Sequence, residues 1–432
     1  MTKVRLLNNK KEICTIGAEN TDYPWGSMII AILTILASVF LSPYLNIFAA
    51  VIILGRMVRY GSIVFSTDYC ILVTVSQIFQ VNGTFLLPYF CLAAALWFVC
   101  TKSFRADLVT MLLIMQFAYL FLRMHGDYKN LILCFSQLVL LRELIAGQQK
   151  ENAVLSIKAF FAVLFATSIY AYIFRGASQL IAIRGSEVPP YWMSSNFRFN
   201  GLFRDPNYYM ALLIVALTLL INLRLKGELG RTSFAAMFLG FTVFGLLTYS
   251  KSFLILIAIV YVVYILLLLG KKRLLFAFFI LAATAVIVWF ALQTEGSPLQ
   301  IICHRFTSAK NLDELTTGRS ALHVRYLKAI SESVYSLFFG YGLDAPYLEL
   351  SPHNLYLEIL YYLGIGGLLI FFAEITAFIR LTHTETSGVQ GRSWLMTYSP
   401  LLVVAVLFLS LAGLFSPSTY AMFFLAVVSM LI

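Results

Sequence analysis

His353-Asn354 stands directly before a long apolar run that contains Gly364, Gly366 and Gly367. Asn354 has the character of an N-cap, so the sequence sets an imidazole beside a helix start. Positive surroundings there hold such a ring neutral and able to take a proton. Two arginine-bearing segments precede it. The first, Arg198-Phe199-Asn200-Gly201-Leu202-Phe203-Arg204-Asp205-Pro206-Asn207, ends in an N-cap and N1 pair, Asp205 and Pro206, ahead of another apolar run. A helix starting there turns free N–H groups and partial positive charge toward Arg198 and Arg204, which favours an anion and phosphate above all. Simple capping, with the arginines reaching lipid phosphates, is the other reading of these residues. In the second, Gly318-Arg319-Ser320-Ala321-Leu322-His323-Val324-Arg325-Tyr326, Arg319 and His323 are four apart. They share the polar side of an amphipathic helix whose apolar positions run from Leu322 to Phe338; a merely solvated face is the alternative. Gly340 and Gly342 then turn the chain. Lys251, between two serines, marks a further helix boundary, and Asp68 and Glu374 are carboxylates in apolar surroundings.

No Asp-x-Asp pair occurs, and His304, His323 and His353 lack the spacing of metal ligands. The chemistry is expected to need no metal and no other cofactor.

The elements that position these residues are membrane helices. The chain has 432 residues, of which 60% are hydrophobic and 12% charged, and its mean hydropathy is +0.86, which excludes a water-soluble domain of this size. Apolar runs long enough for a hydrocarbon core of about 30 Å recur from Met28 to Ile432, and backbone in lipid must satisfy itself, which predicts an all-α polytopic bundle rather than a β-barrel. About fourteen spans are predicted, over 28–41, 44–55, 62–81, 84–101, 106–122, 130–147, 153–174, 207–223, 233–249, 252–269, 274–293, 354–373, 395–412 and 418–432. No removable signal peptide is read, and no repeat, so residues 1–432 form one polytopic domain.

With a cytoplasmic N-terminus, short loops on the cytoplasmic side receive most of the 31 basic residues, Arg56, Arg142 and Lys150 among them. The rest concentrate in two long extracytoplasmic loops, 175–207 and 293–353, and the C-terminus returns to the cytoplasm. The net charge of +11 follows from this topology and not from nucleic-acid binding, since no basic tract with interleaved aromatics is present. The six cysteines imply no disulfide framework.

Three of these blocks together resemble the O-antigen ligase and Wzy-type polysaccharide polymerase superfamily. His353-Asn354 with Gly364 and Gly367 matches the pattern H-[NSQ]-x9-G-x-x-[GTY]; Arg198 with Leu202 matches R-x3-L; Gly318-Arg319 ahead of Gly340-Tyr341-Gly342 resembles the family's arginine-bearing segment. The resemblance covers roughly the second half of the chain. It implies a metal-independent glycosyltransferase that takes a sugar chain from a polyprenyl diphosphate on the outer face of a bacterial cytoplasmic membrane. His353 would then be the base for the acceptor hydroxyl, and Arg198 and Arg319 would stabilise the departing diphosphate. Arg204, Lys251, Asn207, Asn354, His323 and Arg325 are the further substrate-binding candidates. The Phe203 to Asn207 stretch favours a polymerase of lipid-linked repeat units, making O-antigen or capsule, with membrane lipids and a chain-length regulator as partners. The alternative within the family is a ligase transferring glycan to lipid A core. Outside it stand a secondary transporter and a structural subunit of an envelope assembly.

Overall fold

A computed structural model of the chain describes residues 23–101, 107–122, 128–146, 148–174, 198–268, 293–294, 297–316, 318–348, 350–385, 394–411, 413–414 and 416–432. The segment 175–197 and all but the last position of the span predicted over 274–293 lie outside the described residues. Helix α1 (Trp25–Ser38) and helix α2 (Leu45–Val75) lead into a hairpin of β1 (Gln80–Val81) and β2 (Thr84–Phe85), followed by α3 (Leu87–Thr101), α4 (Leu108–Leu122), α5 (Tyr128–Ala146) and α6 (Lys150–Ile173). Next come α7 (Pro206–Leu225), α8 (Arg231–Leu247) and α9 (Lys251–Leu268), then the shorter α10 (Pro298–Thr307), α11 (Leu312–Thr316), α12 (Arg319–Ile330) and α13 (Val334–Phe339). Helices α14 (Leu355–Glu385), α15 (Trp394–Leu407) and α16 (Pro417–Val428) complete the chain.

The fold is therefore helical, as predicted, with one short hairpin among the described residues. Asn82 and Gly83, with φ of 48° and 81°, form its turn, the pair that a tight two-residue hairpin favours. Among the described residues four segments are long and apolar enough to cross a membrane: Leu45–Ser62, Lys150–Ile173, Pro206–Leu225 and Leu355–Thr382. The other apolar helices are shorter, 10 to 17 residues.

Helix α7 is the axis of the bundle. From Tyr209 to Leu223 every residue is buried, which is the environment of a helix that is apolar on all sides. Helices α6, α8, α9, α15 and α16 pack around it. Its N-terminus, with Asp205, faces one end of the bundle.

At the other end, charged side chains are paired. Lys150 meets Glu228 at 2.7 Å, and Arg142 meets Asp107 at 2.6 Å as well as Glu143. In place of the loop expected around 56–61, α2 runs on through a kink at Gly61 (φ 73°, ψ −161°), a backbone region open essentially only to glycine. The kink brings Arg56 against Asp68 at 2.7 Å, and both side chains are fully buried. Arg56 also donates to Pro24 O, and the Tyr23 hydroxyl donates to Asp68. Arg56 is thus a core residue and not a loop cation. Burial of an ion in this setting is tolerated only because each group has several partners.

The amphipathic helix expected between Leu322 and Phe338 is broken in two. Ser333 caps α13 through a reciprocal pair of bonds with Ser336, and that cap ends the first helix before the second begins.

Candidate functional site

Three helix N-termini converge at the end of the bundle to which α7 points. Asp205 caps α7 by accepting from Asn207 N at 2.7 Å. Asn354 caps α14 by accepting from Leu357 N at 3.1 Å. Helix α12 starts at Arg319 after Gly318, and Asp313 anchors it by accepting from Ala321 N at 2.9 Å and Ser320 Oγ at 2.8 Å. Those bonds hold the Asp313 carboxyl below the usual carboxylate range, the amide of Ala321 most of all.

The segment before α7 is locked to the neighbouring helices. Phe199 N donates to Leu247 O, and its ring meets those of Tyr209 and Phe244 at 5.5 and 5.6 Å. Gly201 (φ +54°) lies on the Tyr209 ring so closely that a methyl group there would stand 2.5 Å from a ring carbon. Tyr209 is itself fixed by donating to Ser168 Oγ at 2.7 Å. On this platform Arg198 is held by two bonds, Nε to Thr248 O at 2.8 Å and Nη2 to Asn207 Oδ1 at 3.3 Å. Ser250 Oγ lies 3.4 Å from the same Asn207 oxygen.

His353 adopts φ 49°, the left-handed region, which costs a non-glycine residue about 1–3 kcal/mol. Its neighbours impose that backbone. His323 Nε2 donates to Pro352 O at 2.8 Å, which fixes the tautomer of His323, and Leu355 N donates to Phe408 O at 2.8 Å. The His353 imidazole is half-buried, and among the described residues nothing hydrogen-bonds it. Burial and the nearby Arg319 guanidinium hold it below the usual histidine range; His323 adds to the effect and the Asp205 carboxylate opposes it. Arg319 in turn donates to Ser410 O at 3.3 Å, in the turn that follows α15.

The structure thus brings His353, Arg319 and His323 together with Asp205, and places Arg198 and Asn207 on the same helix end as Asp205. Three other candidates point elsewhere. Arg204 donates to Gln80 Oε1 at 3.1 Å and stacks over Phe85 at 4.6 Å, in a separate cavity against the β-hairpin. Lys251 donates to Leu315 O at 2.8 Å and lies over Phe306, tying α9 to the end of α11. Arg325 is exposed, close enough to Asp313 to influence its titration. Among the described residues no group of three histidine, cysteine or acidic side chains could hold a metal ion.

Two residues absent from the sequence-based candidates join the site. Glu358, buried in the first turn of α14, accepts from Gly413 N at 2.7 Å, Leu414 N at 2.9 Å and the Tyr347 hydroxyl at 2.8 Å. Tyr208 brings its hydroxyl beside Gly413 and is electrostatically coupled to both Asp205 and Glu358. A lone carboxylate inside an apolar run was the signal for Glu358.

No protein-family model matches the chain, and neither does any curated protein or solved structure.

Proposed function

We propose that the chain is a membrane-embedded, metal-independent glycosyltransferase that lengthens a polysaccharide carried on a polyprenyl diphosphate. On this reading the helices form about fourteen spans. Both termini face the cytoplasm, and the end of the bundle bearing His353 faces outward. The observation that carries the reading is the meeting of a half-buried His353 imidazole, held below the usual histidine range and hydrogen-bonded by none of the described residues, with Arg319 and with the positive end of α7 beside Arg198.

Each group has a task in such a transfer. His353 takes the proton of an acceptor hydroxyl as its oxygen attacks the anomeric carbon of the donor. The bond from that carbon to the diphosphate oxygen breaks, and the electron pair leaves with the diphosphate. Arg319, Arg198 and the positive end of the α7 dipole stabilise that charge without reorganising, because the bonds of the two arginines to Ser410, Thr248 and Asn207 already fix them. Asp205 balances the cations while the site is empty. The resemblance of the three sequence blocks to the ligase and polymerase superfamily supports the same chemistry.

The test is reconstitution of the full chain in lipid with a polyprenyl-diphosphate-linked repeat unit from its host. Growth of carrier-linked chains is expected, reduced about a hundredfold or more in His353→Ala. Transfer to lipid A core in place of growth would assign the ligase activity. No transfer at all, or transfer indifferent to His353, would overturn the enzyme reading.

A further inference from the structure

Arg204 and Glu358 lie in two polar cavities of similar size that share a wall. The first, about 280 Å³, is lined by Arg204, Asn46, Gln80, Asn82 and Ser38. The second, about 260 Å³, is lined by Phe85, Tyr347, Ser76, Gln77, Glu358 and Ser416. Arg204 belongs to the first and Phe85 to the second, and the two stack at 4.6 Å, so this stack and the hairpin that carries Phe85 form the partition. The second cavity is also bounded by Gly413, which neighbours the Tyr208 hydroxyl, and Tyr208 is electrostatically coupled to Asp205. Asp205 is electrostatically coupled both to Tyr208 and to His353, so the second cavity adjoins the group of residues that includes His353, and the first lies beyond the hairpin wall.

We propose that the two cavities are consecutive subsites for the acceptor glycan, each taking one sugar of a hydroxyl-rich chain whose terminal hydroxyl reaches His353. This rests on the glycosyltransferase reading and adds the place and chemistry of the acceptor. The second cavity is unsuited to a diphosphate, because among the described residues its only charged lining group is the Glu358 carboxylate. It is suited to a sugar: hydroxyl, amide and carboxylate groups stand on its rim, and the Phe85 and Tyr347 rings offer faces to the apolar side of a pyranose. Ser76 is buried, and among the described residues its hydroxyl has no hydrogen-bond partner, leaving bonding capacity beside this cavity. In the first cavity the guanidinium of Arg204 keeps donors beyond the one used on Gln80, and Asn82 and Gln80 supply both donors and acceptors. Desolvation alone depresses the Arg204 pKa, and no anion among the described residues pairs with it.

Calorimetric titration of the full chain in lipid nanodiscs would test this, with oligosaccharides of two to four sugars released by mild acid from the host's surface polysaccharide. Binding to the wild type and to His353→Ala is expected, with about tenfold weaker binding to Arg204→Gln and to Gln77→Ala. Gln77→Ala, which removes only an amide, covers the case in which Arg204→Gln fails to fold. Equal binding to all four proteins overturns the subsites while leaving the transferase reading intact. Absence of binding to the wild type also overturns them, and the growth of carrier-linked chains in the reconstituted assay then shows independently whether the transferase reading stands.

Discussion

Gly340 and Gly364 each rest on the backbone just ahead of the other. A methyl group on Gly340 would stand 2.4 Å from the Tyr362 carbonyl, and one on Gly364 would stand 2.4 Å from that of Phe338. Both have positive φ with ψ near 180°, at 70° and −174° for Gly340 and 64° and −166° for Gly364. The kink at Gly364 releases three carbonyls from the α14 ladder, and all three are used. Tyr361 O accepts from Tyr341 N, Tyr362 O from Gly342 N, both at 2.9 Å, and Leu363 O from the Tyr119 hydroxyl at 2.6 Å. Replacing either glycine by alanine should destabilise the protein by at least about 1–3 kcal/mol from strain alone. Thermal unfolding in detergent reads this, and an unchanged melting temperature would contradict the interlock.

The pH dependence of transfer follows from the groups around His353. In the proposed transfer its neutral form is the active one, and its depressed pKa keeps that form present to a pH below the ordinary histidine range. Activity should hold as pH falls through about 6.5 and decline only below it. Asp205→Asn keeps a competent cap but removes the one group that favours the imidazolium, so the acid limb should move to lower pH. Arg319→Gln should slow the reaction and move the same limb to higher pH. Rate profiles of the two variants shifting in one direction would rule out this electrostatic account.

The same linkage applies to stability. Because folding lowers the His353 pKa, the unfolded chain takes the proton first as pH falls. The resulting loss of stability sets in below the unfolded value of about 6.5 and is absent above it. Melting of wild type and His353→Gln as a function of pH should converge at neutral pH and diverge in acid, with the wild type losing more.

Arg198 and Lys251 are distinguished by their partners. Arg198→Gln should raise the donor KM about ten- to a hundredfold, since a charge-assisted contact to the diphosphate is lost. Lys251→Gln should leave donor affinity alone and lower the melting temperature, because among the described residues its amine bonds only main-chain carbonyls of the α11 region. Steady-state kinetics with the carrier-linked donor separates the two.

In the buried pair at the opposite end, Asp68→Asn leaves Arg56 charged and underpaired in the core, a change that costs about 3–5 kcal/mol. The double variant Arg56→Met, Asp68→Leu should recover most of that loss in a detergent melting series. A double variant no more stable than Asp68→Asn would mean that the pair contributes shape and not charge.

Much of the site could be read directly from the chain because its determinants are local. Asp205-Pro206 and Asn354 announce helix starts through their own side chains, and Gly364 marks backbone open essentially only to glycine. Asn82-Gly83 carried an equally local hairpin signal that a reading in terms of spans passed over. The fates of Arg204, Lys251 and Arg56 were hidden for another reason. Arg204 and Lys251 are claimed by partners far away in sequence, Phe85 and Leu315, and Arg56 by Asp68, which only the kink at Gly61 brings to it. Charge and hydropathy patterns locate such residues along the chain but do not name what they meet. The division of α12 from α13 lay in between, since Ser333 is a good cap but a helical apolar period continues across it.

The bonds from Tyr341 and Gly342 to Tyr361 and Tyr362 close residues 342–361 into a loop clasped at its base, with His353 on its far side. Tyr326 reaches into this loop, donating to Leu350 O and accepting from Leu348 N, and Tyr347 within it donates to Glu358. An exchange between Leu343 and Pro352 is therefore felt at Tyr326, Glu358 and, through Pro352, His323, while the clasp at its base stays closed. In the proposed transfer this makes the loop the element through which the surroundings of His353 could be retuned on one scaffold.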